Sequence, residues 1–351
     1  DNTILGGGGI ICQGESAIIS FSITGGTGPY TIVYIDGINQ IILNNYNNGD
    51  PIIVSPLTTT IYSPISMTDA NGCTGPMVGS AAVIVNEVPD NTLFEGGATI
   101  CEGESVDLFF TIPNGLPPYT VEYTDGMQNF TINNYFSGDP ISVSPSVTTN
   151  YTALSITDTN GCTSGINTMV LVNVNHPPDS GILEGGGTIC EGESSSIYFT
   201  ISGGTSPFMV EYSDGVDSYL VNNYMSGDPI IVSPNVTTDY TPVSVTDSNG
   251  CNGGLDGLVT VTVNETPGNT LLYGDATICD NESTDIFFSI PSGTPPYSVV
   301  YSDGMNDFTV NNYNSDDPIS VSPNITTNYS PVSVTDSNGC SGGLDGLVTI
   351  T

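Results

Sequence analysis

Apolar and polar residues alternate along one segment of the chain, and this segment returns three times. In its first copy, Ala17, Ile19, Phe21 and Ile23 fall on one face of an extended backbone. The later copies place apolar residues at the same positions: Val106, Leu108, Phe110 and Ile112; Ile197, Phe199 and Ile201; Ile286, Phe288 and Ile290. Because successive side chains of a strand point to opposite faces, this period of two predicts a β-strand with one buried face.

The whole chain follows the same period as this strand. The sequence Thr-Asp-x-Asn-Gly-Cys ends at Cys73, and it returns at intervals of 89 residues to end at Cys162, Cys251 and Cys340. No insertion or deletion separates the copies, so the chain is interpreted as four repeats at 1–89, 90–178, 179–267 and 268–351. A unit of this length suffices for one small β-sandwich with a single core.

Turn signals divide each repeat into about seven short strands. Asp-Gly between β-rich runs is a strong hairpin signal, and it occurs once per repeat at Asp36-Gly37, Asp125-Gly126, Asp214-Gly215 and Asp303-Gly304. No segment has the period of a helix. The predicted fold is all-β, a tandem array of four immunoglobulin-like antiparallel β-sandwiches of the fibronectin III or PKD kind.

Finer expectations concern single strands and the links between repeats. Gly6 to Gly9 predict a flexible or bulged first strand, and Ile65 and Met67 are expected to point inward. Proline marks each boundary, at Val88-Pro89, Pro177-Pro178 and Thr266-Pro267. Since proline restricts φ, these links should be short and stiff, and the four modules should form a rod.

The charge of the chain excludes several classes of partner. It has 37 Asp and Glu, no Lys or Arg and one His, and a formal net charge of −37 at pH 7. Nothing in it can neutralise phosphates, so we expect neither nucleic acid nor an anionic membrane as a partner. No apolar run reaches the roughly 20 residues of a membrane span. Asp1 opens in repeat register without a signal peptide, so we expect a mature piece of a longer protein.

The eight cysteines occur twice per repeat and predict structural disulfides in an oxidising, extracellular compartment. Pairing within repeats would give Cys12–Cys73, Cys101–Cys162, Cys190–Cys251 and Cys279–Cys340. Five predicted strands separate the two cysteines of a repeat, and an odd number of crossings would place them at opposite ends of a sandwich. Either one segment does not cross the sandwich, or the bonds join neighbouring repeats over the shorter interval between cysteines, such as the 28 residues from Cys73 to Cys101. We favour pairing within repeats, because it leaves no cysteine over.

Calcium is the one cofactor for which the chain offers candidate ligands. Hard cations bind carboxylate, amide and carbonyl oxygens. The candidates pair an Asp with an Asn in each Asp-x-Asn-Gly segment: Asp69 with Asn71, Asp158 with Asn160, Asp247 with Asn249, and Asp336 with Asn338. The hairpin residues Asp36, Asp125, Asp214 and Asp303 are second candidates. Asp-x-Asn-Gly is also typical of a tight turn, because Asp forms Asx turns and Asn and Gly accept positive φ; we favour this interpretation.

The sequence does not predict an enzyme. His176 is the single histidine, lies before Pro177-Pro178 and has no counterpart in the other repeats, so it is interpreted as a linker residue. No Ser-His-acid or Cys-His arrangement can be built in more than one repeat. Exposed Tyr and Asn side chains could bind glycans, although many of the 18 Tyr recur at core-like positions.

Five segments, taken together, resemble a known family. They are Ile-Cys-x-Gly-Glu-Ser, Pro-Tyr-Thr, Tyr-x-Asp-Gly, Ser-Pro-x-x-Thr-Thr-x-Tyr and Thr-Asp-x-Asn-Gly-Cys, and all four repeats carry versions of them. The chain resembles the Ig-like repeats of very large Bacteroidetes surface proteins, such as those of gliding adhesins. The fourth repeat departs with Asp280-Asn281 in place of Glu-Gly, which puts its turn in doubt.

This resemblance implies export to the cell surface by type IX secretion and a place in a long filamentous adhesin. It supplies no catalytic residues. The segment from Ser55 to Tyr62 also resembles a tyrosine corner, which implies a structural role for Tyr62, Tyr151, Tyr240 and Tyr329. The predicted function is a structural, disulfide-bonded segment of an extracellular adhesin or filament, with copies of itself or neighbouring repeats as partners. The alternative is a module that binds calcium or surface glycans once per repeat.

Overall fold

A computed structural model describes residues 2–351, which consist of β-strands and turns and contain no helix. The chain forms two compact units, the first ending at Asn175 and the second covering His176–Thr351. Each unit contains two hydrophobic clusters, one for each repeat that it includes. The prediction of an all-β chain of immunoglobulin-like sandwiches is confirmed.

The first unit contains eighteen strands, nine in each repeat. Those of the first repeat are β1 (Thr3–Cys12), β2 (Ala17–Ile23), β3 (Tyr30–Ile35), β4 (Gln40–Tyr46), β5 (Ile52–Val54), β6 (Thr60–Thr68), β7 (Thr74–Gly75), β8 (Met77–Gly79) and β9 (Ala81–Asn86). Those of the second repeat are β10 (Leu93–Glu95), β11 (Thr99–Cys101), β12 (Val106–Thr111), β13 (Tyr119–Thr124), β14 (Asn129–Tyr135), β15 (Ile141–Val143), β16 (Thr149–Thr157), β17 (Thr163–Gly165) and β18 (Met169–Asn175).

The second unit repeats this order. The third repeat contains β19 (Pro178–Gly185), β20 (Gly187–Cys190), β21 (Ser195–Gly203), β22 (Phe208–Ser213), β23 (Ser218–Tyr224), β24 (Ile230–Val232), β25 (Thr238–Thr246), β26 (Leu255–Asp256) and β27 (Val259–Asn264). The fourth contains β28 (Thr270–Tyr273), β29 (Thr284–Ser289), β30 (Tyr297–Ser302), β31 (Asp307–Tyr313), β32 (Ile319–Val321), β33 (Thr327–Thr335), β34 (Leu344–Asp345) and β35 (Val348–Ile350).

Two sheets form the sandwich, as the second repeat illustrates; in the first repeat, β1 links the two into one continuous nine-stranded sheet. One sheet has the order β10-β12-β15, and the other has the order β11-β18-β16-β13-β14 with β17 paired to β16. All pairs in this repeat are antiparallel except β11 with β18. Apolar side chains from the two inner faces meet between the sheets and form the core, at whose centre Phe21, Phe110, Phe199 and Phe288 are fully buried.

Glycines allow the first strand of a repeat to belong to both sheets. The first half of β1 pairs antiparallel with β2, and its second half pairs parallel with β9. Between them, Gly7 and Gly8 have φ of 98° and 91°. A Cβ atom on Gly8 would lie 2.3 Å from the carbonyl oxygen of Ala82, so no other residue fits at this close approach. The Gly-rich segment therefore provides the change of sheet that its composition predicted as a bulge.

One inward-facing residue was predicted wrongly. Met67 is buried, but Ile65 is 48% exposed. The pairing of β3 with β6 passes from Val33–Ser66 to Tyr34–Pro64, which leaves Ile65 without an opposite residue in a β-bulge. A bulge inserts one residue and so reverses the side to which it points, which simple alternation along β6 does not anticipate.

A second tyrosine, rather than the predicted one, makes the buried hydrogen bonds of each repeat. Tyr62 is buried as expected. The hydroxyl of Tyr46, however, accepts a hydrogen bond from the Phe21 N–H at 2.9 Å and donates to the carbonyl oxygen of Asp50 at 2.7 Å. Tyr135, Tyr224 and Tyr313 make the same pair of bonds. The tyrosine of Asn-Asn-Tyr thereby ties a strand of one sheet to a strand of the facing sheet and to the loop that follows, as Tyr135 of β14 does with Phe110 of β12.

Candidate functional site at the repeat junctions

The first cysteine of each repeat lies in a turn that is closed by a glutamate. Cys12 ends β1, and its N–H donates to Oε2 of Glu15 at 2.8 Å. The N–H of Glu15 donates back to the Cys12 carbonyl oxygen at 3.0 Å. The same side-chain bond holds Cys101 to Glu104, Cys190 to Glu193 and Cys279 to Glu282. This role explains the spacing of the Cys-x-x-Glu motif, which had no assigned function from the sequence.

The fourth repeat keeps this turn despite its different residues. Asn281 has φ of 65°, in the same left-handed region as Gly14, Gly103 and Gly192 at the corresponding positions. Asparagine tolerates that conformation better than other side chains. The departure in sequence therefore leaves the presentation of Cys279 unchanged.

The second cysteine of each repeat is held by the aspartate of Asp-x-Asn-Gly-Cys. Oδ1 of Asp69 accepts from the N–H of Asn71 at 2.9 Å and of Cys73 at 2.8 Å, and Oδ2 accepts from the N–H of Thr27 at 3.1 Å. Asp158, Asp247 and Asp336 hold Cys162, Cys251 and Cys340 in the same way. These aspartates are buried. Each one joins the turn to the loop between the second and third strands of its sandwich.

The disulfide bonds join consecutive repeats and do not close within a repeat. Cys12 bonds to Cys162 and Cys190 to Cys340, with Cα–Cα distances of 5.5 and 5.6 Å and a sequence separation of 150 in both. The predicted pairing within repeats is therefore wrong, and so is the alternative over the shorter interval. Within one repeat, β2 to β6 cross the sandwich five times between the two cysteines, which places them at opposite ends. The end of one repeat that carries its first cysteine then meets the end of the next repeat that carries its second cysteine.

The cysteines do not all take part in these bonds. Cys101 and Cys251 are also disulfide-bonded, whereas Cys73 and Cys279 are free and exposed. The prediction that all eight cysteines form disulfides is wrong for these two. Cys162, Cys251 and Cys340 are fully buried, whereas Cys73, at the same position of the first repeat, is exposed. The second cysteine of a repeat is therefore buried where it is disulfide-bonded and exposed where it is free.

The junction prolines pack against glycines of the following repeat. A Cβ on Gly253 would lie 2.5 Å from Cβ of Pro178, and a Cβ on Gly342 would lie 2.0 Å from the Pro267 carbonyl oxygen. Both glycines follow the second cysteine of their repeat by two residues. The linker is thus in direct contact with the segment that carries the disulfide.

Hydrogen bonds from the backbone lower the pKa of several carboxyl groups. The N–H groups of Cys73 and Thr27 hold the pKa of Asp69 below its ordinary value of 3.8. At the hairpins, N–H donors two and three residues on lower the pKa of Asp36, Asp125, Asp214 and Asp303 in the same manner. Donors to the charged form stabilise it, so these aspartates are ionised at neutral pH.

The calcium candidates occupy these same turns. Asn71 and Asn160 are exposed beside their aspartates, while the side-chain amides of Asn249 and Asn338 donate to Oγ1 of Thr205 and Thr294. Within residues 2–351, no three His, Cys, Asp or Glu side chains come together as a metal-binding group. The backbone N–H donors explain why an Asp stands at each of these positions. Calcium binding remains a prediction.

An open groove lies between the Asp-Gly hairpin and the Ser-Pro loop in the second, third and fourth repeats. In the third it is lined by Tyr212, Asp214, Tyr219, Pro234 and Tyr240, among others. Tyr219 stacks on Tyr212 with ring centroids 5.2 Å apart and is 40% exposed. Phe130 and Phe308 stack in the same way on Tyr123 and Tyr301, and they line the equivalent grooves. Ile41 takes this position in the first repeat.

His176 lies in the linker, as expected, and is exposed. Its Nε2 atom is 3.0 Å from Oδ1 of Asp179, which is exposed as well. No helix among residues 2–351 has the length and apolar character of a membrane-crossing segment.

No protein-family model matches the chain, and no curated protein matches it. Among solved structures, it is similar to the FN1-FN3 domains of chicken CNTN1 (14% identity, 73% of this chain and 96% of that one, TM-score 0.30). It is also similar to the Ig1-Ig3 ectodomain of mouse nectin-like molecule 4 (12%, 73% and 96%, TM-score 0.32). Fibronectin(III)-like modules of Clostridium thermocellum CbhA match at 14% identity over 50% of this chain and 94% of that one, with a TM-score of 0.28. These scores are low, so the fold is defined by the strands and registers above. The disulfides are those of a protein from an oxidising compartment.

Proposed function

We propose that the chain is a load-bearing structural segment of an extracellular bacterial adhesin or filament. The observation that supports this is the bonding of Cys12 to Cys162 and of Cys190 to Cys340. A disulfide within a repeat would protect only that repeat. A disulfide between repeats also closes the junction, where an array of separate sandwiches is otherwise held by a single linker.

The two disulfides determine which parts of the chain carry a stretching force. Force applied at the two ends passes from the first strand to Cys12, across the bond to Cys162, on to Cys190 and across to Cys340. Residues 13–161 and 191–339 lie outside this path and carry no load. The net charge of −37 keeps the surface strongly hydrated and discourages unspecific association.

Single-molecule stretching of the 351-residue chain tests this proposal. The oxidised chain should detach from the instrument after only a short extension. Reduction should lengthen the extended chain by on the order of 1,000 Å, because each residue freed from the disulfide-closed loops extends by about 3.5 Å. The Cys190→Ser/Cys340→Ser variant is the matched control and should release about half of that length without reductant. Equal extension of the oxidised and reduced chains would contradict a load-bearing role for the bonds.

We propose glycan binding at the grooves as a second candidate function. It is supported by the partly exposed aromatic rings of Phe130, Tyr219 and Phe308, each near an ionised hairpin aspartate, since sugars stack on aromatic faces and hydrogen-bond to carboxylates. A glycan array tests it with the chain and with a triple variant that changes these three residues to Ile, the residue of the first repeat. Binding should be lost in the variant. If the unmodified chain binds none of the glycans on a broad array, glycan binding is excluded as its function.

A further inference from the structure

Exposed isoleucines cluster on one outer face of the first repeat. Strands β4, β3, β6, β9 and the second half of β1 lie side by side in one layer of its sandwich. Four outward-pointing side chains in this layer are 44–69% exposed: Ile10, Ile42, Ile61 and Ile84. We propose that this surface, called the isoleucine face, packs against the same face of a second copy, so that chains associate side by side.

Strand register brings these side chains together. Ile10 lies opposite Ile84 in the pairing of β1 with β9, and Ile42 lies opposite Val33 in the pairing of β3 with β4. Ile61 of β6 lies opposite the β9 residue two positions before Ile84. Alternate residues of a strand share a face, so these five side chains all point outward. They therefore form two apolar groups, one near β4 and one near β1.

Two further isoleucines join these groups. Ile35 follows Val33 by two residues on β3, and it lies opposite Ser63, which follows Ile61 by two residues on β6. Ile65 is exposed in the bulge of β6, beside the residue that lies opposite Val33. The isoleucine face thus extends from β4 to β1 without a charged residue.

The other three repeats carry mostly polar residues at the positions of the four exposed isoleucines. The second repeat has Thr99, Thr131, Asn150 and Asn173. The third has Thr188, Leu220, Asp239 and Thr262, and the fourth has Thr277, Thr309, Asn328 and Thr351. Thr99 lies opposite Asn173 just as Ile10 lies opposite Ile84. The sandwich therefore forms without isoleucine at these positions, and the isoleucines of the first repeat serve a contact outside it.

End-to-end stacking of repeats does not cover this face. The second and third repeats have a neighbour on either side in the chain. Their residues at the equivalent positions are nevertheless exposed, as Thr99, Thr131, Asn150, Asn173, Thr188, Leu220 and Asp239 are. Repeats join at the ends of the sandwiches, where Cys12 bonds to Cys162, whereas the isoleucine face is a side of the sandwich. Any number of stacked repeats therefore leaves it open.

Charge determines which partner fits the isoleucine face. The net charge is −37 without Lys or Arg, so two copies repel each other wherever their carboxylates meet. Among the described residues, strands β1 to β9 contain no Asp or Glu. The equivalent face carries Glu122 in the second repeat, and Glu211 and Asp239 in the third. A basic partner would bind those acidic faces, whereas a second acidic copy can approach where carboxylates are absent.

The size of the face suits a weak, reversible dimer. Five strands spaced by about 4.8 Å, with about six residues of about 3.3 Å each, give a footprint of roughly 20 Å by 20 Å. Apolar patches of a few hundred Å² mark interaction sites. Two such faces bury on the order of 1,000 Å² together, at the lower limit of a specific interface. Such a contact gains strength where many chains lie side by side in a filament.

This inference rests on the proposed structural function and names the surface through which its chains meet. The two can fail separately, because the stretching experiment measures the bonds within one copy. The test here is sedimentation equilibrium of the 351-residue chain in about 0.5 M NaCl, which shortens the screening length to a few ångström. Cys73→Ser and Cys279→Ser are included throughout, so that the two free thiols cannot link copies covalently.

This chain should form a reversible dimer, more weakly in low salt, where the carboxylates repel over a longer distance. The variant Ile10→Thr/Ile42→Thr/Ile61→Asn/Ile84→Asn should dimerise at least about tenfold more weakly, because it removes apolar area from the contact. Val33→Glu should do the same by placing a carboxylate within it. Each new residue is the one that the second repeat carries in the same register, so the sandwich should still fold.

An exposed pair on the opposite layer provides the matched control. Ile18 lies opposite Ile53 in the pairing of β2 with β5, and these side chains are 57% and 71% exposed. Ile18→Ser/Ile53→Ser should dimerise as the parent chain does. An equal loss in this control would show that apolar area in general causes association, and it would overturn the proposal. So would dimers that persist in both face variants, or a parent chain that stays monomeric, which would leave the isoleucine face to a different protein.

Discussion

Single side chains in this protein serve mainly to fix the backbone around strand ends. The tyrosine of Asn-Asn-Tyr, the glutamate of Cys-x-x-Glu and the aspartate of Asp-x-Asn-Gly-Cys each bond to backbone N–H or carbonyl groups. None of these bonds reaches another charged side chain, since the chain has no Lys or Arg. The recurring polar residues are therefore accounted for by turn geometry.

Tyr313→Phe should destabilise the second unit by about 1–3 kcal/mol, because it leaves the buried Phe288 N–H without an acceptor. Tyr198→Phe is the control, since that tyrosine is only partly buried and makes none of these bonds. Urea unfolding of the two variants measures the difference. Equal midpoints would show that the Tyr313 hydroxyl contributes nothing to stability.

Acid should act on the five aspartates whose pKa is lowered, Asp36, Asp69, Asp125, Asp214 and Asp303. A pKa that is lower in the folded chain contributes stability above the ordinary value of 3.8, and this is lost as the pH falls below it. Other carboxylates repel one another and favour unfolding until they are protonated. The thermal midpoint should therefore rise from pH 7 towards pH 4 and fall below that. The variant with Asn at the four hairpin positions should show a smaller fall.

Strands in each repeat are placed by glycines and bulges as much as by hydrophobic alternation. Gly7 and Gly8 let β1 leave one sheet and join the other, and the bulge at Ile65 turns β6 without disturbing Met67. These devices close the sandwich at its edges. They also bring the end of β1 beside β9, where Cys12 faces the next repeat.

Gly8→Ala should separate β1 from β9, because the new methyl group would meet the Ala82 carbonyl oxygen and φ of 91° is unfavourable for alanine. Gly6→Ala is the control, since a Cβ there meets nothing within 4 Å. Amide hydrogen exchange along β9 should accelerate in the first variant only. Unchanged protection of β9 in Gly8→Ala would refute the argument from close approach.

At the scale of the whole molecule, repulsion between carboxylates opposes folding, and no Lys or Arg side chain in the chain offsets it. A net charge of −37 without Lys or Arg means that carboxylates interact mainly with water, backbone donors and dissolved cations. Salt must therefore stabilise the folded chain by screening.

The thermal midpoint should rise with NaCl, and CaCl2 should raise it no more than MgCl2 at the same concentration. The reason is that both oxygens of the turn aspartates already accept backbone N–H bonds. Scanning calorimetry in the three salts measures this. A rise specific to calcium that disappears in the Asp69→Asn, Asp158→Asn, Asp247→Asn and Asp336→Asn variants would instead establish these turns as calcium ligands.

The sequence alone determined the period, the all-β class, the hairpins and the inward face of β2, because each depends on contacts between near neighbours that repeat four times. It also located the residues of the junction, as cysteines and turn aspartates. It did not reveal which cysteines bond. Both cysteines of a repeat looked equivalent along the chain, and only the stacking of one sandwich end on the next brings Cys12 to Cys162 across 150 residues. The tertiary structure likewise decided that Ile65 faces solvent, since a bulge depends on the partner strand and not on the residues of β6 themselves.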